Sequence, residues 1–253
     1  LTLIIFAHYL PNKRRKIITE FRSQLIDFIV SNPVGMGINW SRSNTIGIRA
    51  INWLFAYDMA KQLDKDGILT DRFHSVFWRS IMSHFLQLKA LLPRSYPKQN
   101  AEYLIQLSSI ICIMAYANMN QEIRQIARRL FKTIDRQYHS DGSYFEPSTH
   151  YHRFCTETLI ITIAILKNKG ILIPSRIQNT LKKACVYTKD LLKSNGEVPQ
   201  FGDNDGNAFI KLSPVGVMTR HSDAEERYLN LTGYTDHLED HHIDSKPLRG
   251  KYW

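Results

Sequence analysis

Four side chains that hold or move protons stand in a row at His150-Tyr151-His152-Arg153, and nowhere else in the chain does a phenol have so many ionisable neighbours. An Asp141-Gly142 turn signal precedes them, and Glu146-Pro-Ser-Thr149 forms a polar entry to a helix. A phenol among imidazoles and a guanidinium suits acid/base chemistry on an acidic sugar polymer. β-Elimination from a uronate has three needs: the carboxylate neutralised, the proton on the adjacent carbon removed, and the departing glycosidic oxygen protonated. Donors or cations aimed at the developing enolate charge meet the first need, and positioned side chains meet the other two. A tyrosine ordinarily ionises near ~10, too high for a base at neutral pH, and nearby positive charge lowers that value. Tyr151 is therefore the expected acid/base, and His150, His152 and Arg153 are the expected source of positive charge. On a helix, residues 150 and 153 share a face while 151 and 152 project elsewhere.

Each cluster also has a plainer reading. The His150–Arg153 run reads as a polar helix start with a buried tyrosine, and Asn39-Trp40-Ser41-Arg42 as a helix entry with an aromatic plug. Arg49, Asn52 and Trp53 suit a buried polar network in a helix bundle. Asp203-Asn204-Asp205-Gly206 reads as a turn, because a calcium loop would require a bidentate Glu at a distance where none stands. Glycosidase chemistry would use two carboxylates across a cleft, and Glu102, Glu146, Asp203 and Asp205 supply the residue types.

The elements that must position these groups are helices. Ile18, Phe21, Leu25, Phe28 and Ile29 recur at helical spacing over 14–31, and Asn32-Pro33 stops that helix. A Gly-rich link, 34–42, leads to Ser43 or Asn44 as the cap of a helix to about Leu63, apolar nearly all round and so buried on most sides. Thr70 or Asp71 caps the next, which runs to Pro93. After the polar loop Arg94-Ser-Tyr-Pro-Lys-Gln-Asn100 come helices over about 101–118 and 121–138, then one from the ionisable cluster to about Lys169. Pro174 stands at a first helical position of another, ended by Asn195-Gly196. A polar loop, 198–206, follows, then a short helix near 224–231 and a His-rich tail. Only Ala208–Leu212 hints at a strand. Seven or so helices in antiparallel succession predict an all-α chain of stacked hairpins, either a closed α/α barrel or an open solenoid. The links differ from one another and carry polar and aromatic groups, which favours one shared cleft over a fixed-period repeat.

The totals agree with one large globular unit. Of 253 residues 43% are hydrophobic, enough for a sizeable core, and 33 Lys and Arg against 23 Asp and Glu leave a net charge of +10. That excess favours an acidic partner. The densest basic run, Lys13-Arg-Arg-Lys16, opens an amphipathic helix and does not resemble a nucleic-acid tail, so neither a nucleic-acid nor a membrane partner is expected. Cys112, Cys155 and Cys185 sit singly among apolar residues and offer neither a disulfide framework nor a metal set, so no metal or cofactor is expected. The apolar opening run, Leu1–Ala7, is too short to span a bilayer and lacks the features of a signal peptide. Both ends read as cut from a longer chain.

Four stretches in order resemble the heparinase II/III-like polysaccharide lyase family. They are Asn32-Pro-Val-Gly-Met-Gly-Ile-Asn-Trp-Ser41, Arg49-Ala-Ile-Asn-Trp-Leu54, Asp141 through Arg153, and Pro199-Gln-Phe-Gly-Asp-Asn-Asp205. The resemblance covers about residues 1–235 and implies an incomplete (α/α) toroid. Residues 236–253 would then lead toward an antiparallel β-sandwich domain that the chain lacks. It implies a bacterial lyase acting on an acidic polysaccharide such as a glycosaminoglycan or alginate, in the periplasm or outside the cell. It gives Tyr151 the role of catalytic acid and often also of base.

The family also uses an Asn-His pair at the start of a central helix. Here Ala101-Glu102 stand in that place, with Asn100 one residue early. A glutamate there would repel a uronate unless protonated or turned away. Asn100 or Arg94 is therefore expected to engage the substrate carboxylate, and His150 and Arg153 to give electrostatic support. Trp40 is the expected sugar platform, with Asn39, Glu146, Asp203 and Asn204 lining the cleft. A catalytically weak or inactive module that binds an acidic glycan, and a helical scaffold for a protein or nucleic-acid partner, remain as alternatives.

Overall fold

The computed structural model describes residues 1–93, 100–194, 198–206 and 208–210. Among these it has eight α-helices: α1 Thr2–Tyr9, α2 Arg14–Ser31, α3 Ser43–Leu63, α4 Asp71–Ala90, α5 Ala101–Tyr116, α6 Asn120–Gln137, α7 Thr149–Asn168 and α8 Ser175–Asp190. The described residues contain no strand, only an isolated antiparallel bridge between Tyr138 and Tyr144. Ala208, Phe209 and Ile210 are not in a strand, which corrects the expectation for that part of 208–212. Arg94, the short helix expected at 224–231, the boundary at 235 and the tail lie outside the described residues.

The helices form two layers, as in an (α/α) toroid. α1, α3, α5 and α7 pack in succession as the inner layer. The even-numbered helices lie outside them, α2 beside α4 and α6 beside α8. The sequence explains the sorting. α5 and α7 are apolar or small and uncharged over most of their length and are buried on nearly all sides. α6 is strongly one-sided: Ile123, Ile126, Ala127, Leu130, Phe131 and Ile134 face inward, while Arg124, Arg128 and Lys132 face solvent. A fully buried leucine or isoleucine contributes about 1.5–3 kcal/mol, so the doubly covered inner helices carry most of the packing energy. α3 and α5 approach so closely that a Cβ on Gly47 would stand 2.3 Å from Ser109 Oγ.

Because the inner helices run parallel to one another, α3, α5 and α7 bring their N-termini to one rim. The caps there come from remote carboxylates as well as local residues. Asn100 Oδ1 accepts from Tyr103 N at 3.1 Å, and Ser148 Oγ accepts from Tyr151 N at 3.1 Å. At α3 the expected Ser43 or Asn44 cap is not used: Arg42 occupies the cap position without a side-chain bond. Glu102 Oε1 instead accepts from Ser43 N at 3.1 Å and Ser43 Oγ at 3.0 Å. One helix further on, Glu146 Oε1 accepts from Ala101 N at 2.9 Å. Each carboxylate thus caps the preceding inner helix and pins neighbouring N-termini together. Pro174 is the cap residue of α8, one position before the expected one. No described helix is long and apolar enough to cross a membrane.

Candidate active site at the rim of the inner helices

Ser148 starts α7 and so decides where the ionisable run points. Its hydroxyl both caps the helix and donates to the Asp203 carbonyl at 2.6 Å, docking the loop 198–206 against the helix start. Thr149 N donates to Phe201 O and Phe201 N donates back to Thr149 Oγ1, each at 3.1 Å. Gly202 makes this closeness possible. It has φ of +68°, and a Cβ there would lie 2.3 Å from Pro147 O.

Held this way, the loop delivers a carboxylate to the phenol. Tyr151 is half-buried, and its hydroxyl donates to Asp205 Oδ2 at 2.6 Å. The expectation that neighbouring cations lower the phenol's pKa is overturned. The hydrogen bond to Asp205 raises it, helped by desolvation and by the charges of Glu146 and Asp203. By sequence Asp205 is a turn residue and one of four available carboxylates. Its place in the Pro199–Asp205 motif was the signal that could have tied it to Tyr151.

The rest of the ionisable run separates around the helix. His150 is 5% exposed and stacks on Phe154 at 5.9 Å. Arg153 Nη2 donates to His150 Nδ1 at 3.5 Å, and a guanidinium only donates, so the imidazole proton belongs on Nε2. That Nε2 is buried and has no hydrogen-bond partner. Burial, then the charge of Arg153, lowers the His150 pKa and keeps the ring neutral. Arg153 is also buried and paired with Glu157 at 2.8 Å. His152 leaves the group altogether. It is 3% exposed, with Nε2 2.9 Å from Thr188 Oγ1 and 3.1 Å from Ala184 O of α8. Burial pushes its pKa down to about 4, so it supplies no positive charge to Tyr151.

Asn100 stands at the start of α5. Its backbone carbonyl accepts from Gln137 Nε2 at 3.0 Å, its Oδ1 caps the helix, and the residue is exposed. Glu146, through Ala101 N, links this position to the segment that enters α7. Glu102 is committed to Ser43. Asp203 and Asn204 are exposed on the loop, where Asn204 bonds Gln200 and Gly206.

Trp40 is not an exposed platform. It is 3% exposed, its indole N–H donates to Asn32 O at 3.1 Å, and the Arg49 guanidinium lies 4.9 Å from its ring centroid. Its remaining edge lines a cavity of about 260 Å³ with Phe28, Asn32, Arg79 and Ser83. Asn39 is likewise engaged, its Nδ2 donating to Asn32 Oδ1 at 2.6 Å and its carbonyl accepting from Arg49. Both belong to a polar network around Arg49, whose Nε donates to His84 Nε2 at 2.9 Å. Among the described residues no group of three or more His, Cys, Asp or Glu side chains is placed to hold a metal ion.

The family model described as Heparinase II/III N-terminus matches residues 6–212, more than half of the chain. Comparison with curated proteins and with solved structures gave no match.

Proposed function

The chain belongs to the heparinase II/III N-terminal family, and on that premise we propose that it is the toroid of a polysaccharide lyase that cleaves an acidic, uronate-containing glycan by β-elimination. The observation that carries this reading is the hydroxyl of the half-buried Tyr151 at the start of α7, which donates to Asp205 and is held protonated by it. A phenol in that state is an acid. It gives its proton to the glycosidic oxygen as the C–O bond breaks, while the proton on the carbon beside the carboxylate passes to a base outside the described residues and its electron pair forms the new C=C bond. A raised pKa also brings it nearer to that of the sugar alkoxide it protonates, which makes the transfer closer to thermoneutral.

The substrate carboxylate needs donors rather than more anions. His150 Nε2 is a buried nitrogen without a hydrogen-bond partner, and the amide of the exposed Asn100 is a further donor. Arg94 contributes its cation in this reading, and Arg153 acts by orienting His150. An antiparallel β-sandwich that follows the toroid completes the cleft, and the protein acts in the periplasm or outside the cell.

The test is incubation of the full chain with uronate polymers. Appearance of the unsaturated uronate, followed by its ultraviolet absorbance, is expected. A second reading, an acidic-glycan-binding module without lyase chemistry, is favoured by Ala101-Glu102, since a methyl group and a carboxylate committed to Ser43 replace the family's Asn-His pair. Tight binding with no ultraviolet product would select it.

A further inference from the structure

The loop that carries Asp205 does not end at Tyr151. Beyond it, Phe209 and Ile210 are 0% and 2% exposed, inserted into the core, and Phe209 O accepts from Asn52 Nδ2 of α3 at 2.8 Å. Asn52 Nδ2 also donates to Ile48 O at 2.9 Å, so its amide is fixed by its own helix before it meets the strap. Residues 198–206 and 208–210 therefore form a strap from α7 to α3. At the first end it is fastened by Ser148, Thr149 and the close packing of Gly202 on Pro147. At the other it is fastened by two buried apolar side chains and one amide. Asp205 lies between the two fastenings, and its own side chain is exposed, so nothing in the core requires a carboxylate there.

We propose that Asp205 is a positioning residue for Tyr151, and that Asn52 sets the far anchor of the strap that presents it. The phenol has one proton and can donate it to one oxygen at a time. In the resting arrangement Asp205 holds the place that the glycosidic oxygen of the substrate must take. A carboxylate there stabilises the neutral phenol and aims its O–H along a fixed direction. Substrate binding exchanges one acceptor for another, and the proton then passes to the leaving oxygen as the glycosidic bond breaks. The resulting phenolate regains its proton from solvent and returns to Asp205. This role rests on the lyase reading, but the contact itself is measurable without turnover.

The test is the titration of Tyr151 in the full chain labelled with ¹³Cζ-tyrosine, its signal assigned by its loss in Tyr151→Phe. In Asp205→Asn, which removes the charge and keeps the shape, the Tyr151 midpoint is expected to fall by about one pH unit or more. Asp205→Glu should recover part of that change. Asn52→Ala should lower the midpoint by a smaller amount, with the helices intact by circular dichroism. An unchanged midpoint in Asp205→Asn overturns the proposal. An unchanged midpoint in Asn52→Ala, when Asp205→Asn shifts, overturns the anchor. A protein that shows the shifts but never cleaves a uronate polymer sinks the lyase reading and leaves the Asp205–Tyr151 assignment standing.

Discussion

Glu102 on α5 reaches the first turn of α3, where its Oε1 accepts hydrogen bonds from both the backbone N and the hydroxyl of Ser43, at 3.1 Å and 3.0 Å. This carboxylate serves as a cap for another helix. Glu102→Ala should remove a cap and two charge-assisted bonds at once, destabilising the fold by about 1–2 kcal/mol. Thermal unfolding checks this. An unchanged melting temperature would mean that Glu102 is free in solution and available to the cleft.

Acid should weaken the fold through its buried imidazoles, two of them above all. His84 and His152 each have their pKa pushed down to about 4, mainly by burial, against an ordinary value near 6.5. Protonation of His84 is opposed further by Arg49, which donates to its Nε2. Above about pH 6.5 both are neutral whether folded or not, and stability is flat with respect to them. As pH falls from about 6.5 toward 4 the unfolded chain takes the protons first, and stability is lost, on the order of 3 kcal/mol for each. His152→Gln keeps a donor facing Ala184 and removes one titrating group, so the fall in melting temperature between pH 7 and pH 5 should be clearly less steep. A slope equal to wild type would show that His152 is not buried in its neutral form.

Gly202→Ala should loosen the strap without touching an ionisable group. The substitution places a methyl group in left-handed backbone, at about 1–2 kcal/mol, and drives it against Pro147 O, where there is no space for it. Amide exchange at Thr149 and Phe201, whose N–H groups bridge loop and helix, should accelerate at least about tenfold, the equivalent of 1.4 kcal/mol. Protection equal to wild type would show that the loop does not depend on this approach.

The fold was legible where it depended on local periodicity. Helix 14–31 was bounded by its apolar spacing and by Asn32-Pro33, and the Thr70 cap by its hydroxyl before an apolar run. The site was legible only in part. Tyr151 could be singled out because its neighbours are crowded in sequence, but a helix turns successive side chains about 100° apart. Crowding in sequence therefore dispersed His150, Tyr151 and His152 to three surroundings. Asp205, 54 residues from Tyr151, and Glu102, 59 residues from Ser43, act across gaps that leave no local pattern. Trp40 looked like a platform because aromatic type is visible in a sequence, whereas the Arg49 guanidinium against its ring is not.

The central claim is that Tyr151 supplies the proton to the leaving sugar, and Tyr151→Phe in the full chain tests it most directly. The substitution removes one oxygen from a half-buried ring that packs on the core through its carbon atoms, so folding and glycan binding should persist. Formation of unsaturated uronate from a uronate polymer should fall by about 10³-fold or more, the loss of a positioned general acid together with the orientation it provides. A Tyr151→Phe protein that releases the unsaturated product at the wild-type rate would contradict the account.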